Sequence, residues 1–228
     1  MNAIAPTTSS GNPQTPGAGP TKTPIAAATP TSPGAFRFMP LKAEERTQYL
    51  KMLVYGPPGV GKSTLAGSAT NIEAMKDVLL ITAEGGDVVF DNNNRVADPD
   101  NISMLRMERI EQLVKVFEFL KVHIAARDRG DIATLKNLQR MTFGIPPEVE
   151  IADSDVKQFR TVILDSLTDI EDLNMRKILG IDGFKVGDDF EAPQFKEFRL
   201  NNNIIQAIVR SFRNLNINLI VKIGRAHV

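Results

Sequence analysis

The stretch "GPPGVGKST", residues 56 to 64, sets glycines, a lysine and two hydroxyls at the spacing G-x-x-x-x-G-K-[ST]. That pattern suits the cradling of a phosphate chain. Backbone N–H groups must come close to phosphate oxygens, and side chains would obstruct them. Gly59 and Gly61 also admit dihedrals that other residues avoid. Lys62 is expected to reach the β- and γ-phosphates, and the Ser63 hydroxyl to ligate Mg²⁺. The expected nucleotide site is therefore Gly56, Pro57, Pro58, Gly59, Val60, Gly61, Lys62, Ser63 and Thr64. ATP and Mg²⁺ are the expected ligands. The motif indicates a nucleotide, not a reaction.

A second polar feature is "TVILDS", residues 161 to 166, an apolar run that stops on Asp165. A carboxylate at such a strand end is expected to hold Mg²⁺ opposite Ser63. Many nucleotide hydrolases place a glutamate directly after that aspartate to activate water, but here the next residue is Ser166. Another strand tip must supply the base. "VLLITAEGG" offers Glu84 at the end of the run that follows the phosphate loop, with Gly85 and Gly86 leaving room beside it. In an open parallel sheet, ligands sit beyond the carboxyl ends of the strands. Glu84 is therefore the expected general base, with Lys62 as its catalytic partner. Asp169, Glu171 and Asp172 read as a solvated face or helix-start charges. His123 has no second ligand nearby and reads as structural. Arg210 and Arg213 read as surface charge rather than as groups reaching a neighbouring subunit.

Elements must bring these residues together. Apolar runs at 49–56, 77–86, 102–107, 160–166 and 217–221 read as strands. "GKSTLAGSA" (61–69) starts a helix. Residues 108–128 place Ile110, Leu113, Val114, Phe117, Leu120 and Ile124 at helical spacing, with Lys115, Glu118 and Lys121 on a more polar face. Residues 199–215 repeat the pattern through Leu200, Ile204, Ile208 and Phe212. Strands alternating with helices predict an α/β fold, a mostly parallel sheet with helices on both faces.

The chain has 228 residues, 27 basic and 27 acidic side chains, and no cysteine. Disulfides and thiolate metal sites are excluded, which suits a reducing cytosol. Zero net charge advertises no global attraction to nucleic acid. No apolar span is long enough for a membrane. Residues 1–35 hold seven prolines and a single charged side chain, Lys22, and read as a disordered Pro/Thr/Ala-rich tail. Residues 36–222 form the expected domain. The last six residues, "IGRAHV" (223–228), read as a translated sequencing adapter, an artefact whose two preceding bases can complete the codon of Lys222. The expectation is a natural protein that continues beyond Val221, a sheet incomplete at its C-terminal side, and a fragment that hydrolyses ATP poorly.

A phosphate loop, then a strand ending "AEGG", then a strand ending "DS", resembles the layout of RecA-like recombinases. "GPPGVGKSTLA", "ITAEGG", "TVILDSLT" and "RSFRNLNINLIV" are similar, in that order, to the phage-encoded RecA-like P-loop NTPases of the single-strand-annealing and recombination type, AAA-family ATP-binding proteins. The likeness covers roughly residues 50 to 221, the expected folded part. It implies ATP hydrolysis with Glu84 activating water, a homo-oligomer, single-stranded DNA as partner, and the cytoplasm of a phage-infected bacterial host. Thr82 departs from the aspartate usual in the family. The segment 180–194 stands where a first DNA loop would lie. It carries Phe184 and Lys185 but also Asp182, Asp188, Asp189 and Glu191, so no DNA-contacting residue is assigned. Two other functions use the same scaffold. A small-molecule kinase would need a lid, for which 127–160 with Arg127, Arg129 and Arg140 is the candidate. A nucleotide-binding switch would bind without appreciable turnover.

Overall fold

Each of the five apolar runs forms a strand, and all the strands run in one direction. The computed structural model describes residues 49–83, 98–181 and 193–224. The strands are β1 (Lys51–Val54), β2 (Val78–Thr82), β3 (Ile102–Arg106), β4 (Thr161–Asp165) and β5 (Asn218–Lys222). They build one sheet in the order β1-β5-β4-β2-β3, every neighbouring pair parallel. Glu84, Gly85, Gly86, the tail 1–35, the segment 182–192 and residues 225–228 lie outside the described residues.

Parallel pairing requires crossovers, and helices supply those after β1, β3 and β4: α1 (Lys62–Gly67), α2 (Ile110–Arg129), α3 (Ile132–Phe143), α4 (Leu167–Ile178) and α5 (Phe195–Arg213). Strands covered on both faces read as continuous apolar runs, and β2, β4 and β5 are buried at every position. The period of two then sorts their side chains. Leu79, Ile81, Val162, Leu164, Leu219 and Val221 join Leu113, Leu120, Ile170, Ile205 and Phe212 in the larger core, under α2, α4 and α5. Val78, Leu80, Ile163 and Ile220 face the other way and meet Ala66 and Ala69, a thinner layer under α1 and the 3-10 turn that continues it. Thr161, Asp165, Asn218 and Lys222 share the parity of this second face.

Helix ends follow local chemistry. Asp131 accepts from the backbone N–H of Thr134 at the start of α3, and Gln112 Oε1 accepts from the N–H of Arg109 at the start of α2. The proposed lid segment is mostly structural. It contains α3, which periodicity did not reveal. Arg127 donates to the carbonyls of Phe159 and Asn216, and Arg140 to that of Val149. Both arginines therefore pin loops. Val114 is 61% exposed and leaves the apolar stripe of α2, which runs through Ile110, Leu113, Leu120 and Ile124.

Candidate nucleotide site

The phosphate loop connects β1 to α1, as its spacing predicts. Gly59 and Gly61 have φ of 78° and 87°, the left-handed region that glycine enters without a Cβ penalty. Gly61 caps α1, and the N–H of Leu65 donates to its carbonyl at 2.9 Å. Lys62 Nζ turns back onto the loop and donates to the carbonyls of Gly56 at 2.7 Å and Pro57 at 2.9 Å. These bonds hold the lysine against the loop it serves, and a bound phosphate would take their place. Thr64 follows on the first turn of α1, while Pro57, Pro58 and Val60 form the exposed bend.

Register aligns the strand ends that carry the rest. Val54 pairs with Lys222, Leu164 with Val221, and Thr82 with Asp165. The carboxyl ends of β1, β5, β4 and β2 therefore form one row. Parity sends Asp165 and Lys222 to the α1 face, where Ser63 waits. The convergence is direct. Lys222 Nζ donates to Ser63 Oγ at 2.6 Å and forms an ion pair with Asp165 Oδ1. Both charged side chains are 6% exposed. A hydroxyl and a carboxylate from distant stretches of chain thus share one buried cation. Their oxygens fit a hard divalent ion such as Mg²⁺, since the position already holds positive charge.

The sequence placed Ser63 and Asp165 together, and the fold brings them together. It also brings in Lys222, the residue whose codon the adapter bases can complete. The available signal was a single charged residue closing the apolar run "INLIV". Glu84 lies outside the described residues, but the residue before it is located: Ala83 N donates to the Asp165 carbonyl at 3.2 Å. After Asp165, Ser166 is buried, and its hydroxyl contacts the Asp169 carboxylate. Asp169 therefore stands as a helix-start charge in the first turn of α4, paired with Ser166. His123 sits 2% exposed between Phe119 and Phe159, with Nε2 facing the Lys157 carbonyl, in keeping with a structural role. Arg210 stays at the surface, near Gln206.

A protein-family profile described as an AAA domain matches residues 48–227. No curated protein matches the chain.

Proposed function

Since the chain belongs to the family of AAA domains, units that bind and hydrolyse nucleotides, we propose that it is a Mg²⁺-dependent ATPase serving phage DNA recombination or single-strand annealing. The observation that carries this reading is the meeting of Ser63 and Asp165 on one buried cation beside the phosphate loop. Residues 36–222 are the working domain. Gly56 to Thr64 wrap the phosphates. Ser63 and Asp165 would hold Mg²⁺, which supplies charge neutralisation across the β- and γ-phosphates. Lys62 leaves the carbonyls of Gly56 and Pro57 for the same oxygens. Glu84, the residue after Ala83 in the sequence, orients water for in-line attack on the γ-phosphorus. The bond to the β–γ bridging oxygen breaks, ADP departs, and the water proton passes to the Glu84 carboxylate. Single-stranded DNA and further copies of the chain are the partners, carried by the resemblance to RecA-like recombinases.

Two substitutions test the reading. Lys62→Ala should weaken ATP binding by about tenfold or more, the loss of one charge-assisted contact to phosphate. Glu84→Gln should keep ATP binding and lower phosphate release by about a hundredfold, within the range for a lost general base. A Glu84→Gln protein with wild-type turnover contradicts the mechanism.

A further inference from the structure

Among the described residues, the two most exposed large apolar side chains are Met141, 83% exposed, and Phe195, 82% exposed. Neither stands alone. The first turns of α5 expose Phe195, Phe198 and Leu200 beside Lys196 and Arg199. The last turn of α3 exposes Met141 and Phe143, and the chain then folds back on it. Arg140 donates to the Val149 carbonyl at 2.8 Å, and Val149 N donates to the Pro146 carbonyl at 3.1 Å. Val149 is thereby set beside the end of α3, with Glu148 and Glu150 on either side, all three exposed. Among the described residues, Lys196, Arg199, Glu148 and Glu150 form no ion pair. The two patches lie at opposite ends of the sheet. Gln139 of α3 bonds to the backbone of Asp155 and Lys157, ahead of β4, and Lys157 Nζ donates to the Asp100 carbonyl, ahead of β3. α3 therefore stands by the amino ends of the strands. α5 finishes by the amino end of β5, and its 19 residues reach about 28 Å away from there. Its early part meets α4, the helix that leaves the carboxyl end of β4, through Asn201 and Asn174.

We propose that these two patches bind each other between copies of the chain, the α5 patch of one copy against the α3 patch of another. The inference rests on the self-association proposed above and names its surface. Single exposed apolar residues need no partner, but a cluster of them rimmed by charge marks an interaction site. The signs of the rims decide the partner. The α5 patch offers two unpaired cations and the α3 patch two unpaired carboxylates, so unlike patches attract and like patches repel. Each apolar cluster then finds its cover on a surface of opposite charge, which a second copy of the same chain carries. The patches stand too far apart to meet within one copy.

The test is sedimentation velocity of the full chain over a concentration series. One variant joins Lys196→Glu to Arg199→Glu, and the other joins Glu148→Lys to Glu150→Lys. Each alone sets like charges together and should weaken self-association about a hundredfold or more. An equal mixture of the two should regain the parent's association. There the two reversed patches attract each other, and each untouched patch finds its untouched partner on the other variant. Phe198→Ala leaves every charge in place and should weaken association about tenfold, which gives a second arm if a reversed chain fails to fold. Parent-like association in both reversed variants or in Phe198→Ala, or loss without recovery in the mixture, overturns the pairing of these patches and leaves self-association standing. A parent that stays monomeric at every concentration overturns self-association, and this surface with it.

Discussion

His123 shows how a titratable side chain can be read without assigning it chemistry. Its Nε2 faces a carbonyl oxygen, so that nitrogen carries the proton, and Nδ1 has no hydrogen-bond partner. Burial lowers its pKa from the ordinary 6.5. The nearby Arg127 charge adds to this, while the Lys157 carbonyl and Asp77 oppose it. The sign follows from linkage. Below pH 6.5 the unfolded chain takes up a proton at this position and the folded chain does not, so stability falls as pH drops towards the folded value. The slope from one such group reaches at most about 1.4 kcal/mol per pH unit. Urea unfolding at pH 7 and pH 5.5 should show this loss in the parent, and His123→Phe should remove most of it. Equal pH dependence in the two proteins would mean that His123 takes up its proton equally readily in the folded and the unfolded chain. The phosphate loop could be read from sequence because its spacing is imposed by phosphate geometry at single residues. Lys222 could not. A lysine at the end of an apolar run looks like a strand reaching solvent, and only register with Val54 shows that it is buried.

Elements that bury a continuous apolar run were readable in the same way. β2, β4 and β5 have no exposed position, so their sequences carry little ambiguity, and α2 and α5 show their faces over many turns. α3 was missed. It buries only Leu135 among its own residues and packs into a small separate cluster with Ala126, Ile151 and Val156, which leaves a faint stripe. The contact between α4 and α5 was less readable, because beside its apolar residues it holds a buried polar pair. Asn174 Nδ2 donates to Asn201 Oδ1 at 2.6 Å, and both residues are 2% exposed. Either asparagine in isolation reads as a surface residue. Removing one partner strands the other away from water, so Asn174→Ala and Asn201→Ala should each cost about 1–3 kcal/mol. The double variant should cost clearly less than the sum, since neither amide is then left unpaired. Additive costs in a urea double-mutant cycle would show that the two amides do not depend on each other.

Among the described residues the sheet carries two unequal apolar layers, and the candidate nucleotide site lies on the side of the thinner one. The larger core is closed by three long helices. The other face is closed by α1 and its 3-10 continuation, through two alanines against Val78, Leu80, Ile163 and Ile220. α1 begins at Lys62, so the layer that seals this face also aims Ser63 and the phosphate loop. Stability and ligand affinity should therefore separate by face. Ile163 and Leu164 are adjacent on β4, each 0% exposed, and point to opposite sides. Truncating either to alanine should cost about 2–5 kcal/mol, the usual range for a cavity in a packed core. Only Ile163→Ala removes support from beneath α1. At a temperature where both variants are folded, it should weaken ATP binding by about fivefold, roughly 1 kcal/mol of misplacement, while Leu164→Ala should leave affinity within about twofold. Equal ATP affinities in the two folded variants would mean that the loop holds its own shape and that the thin face contributes stability alone.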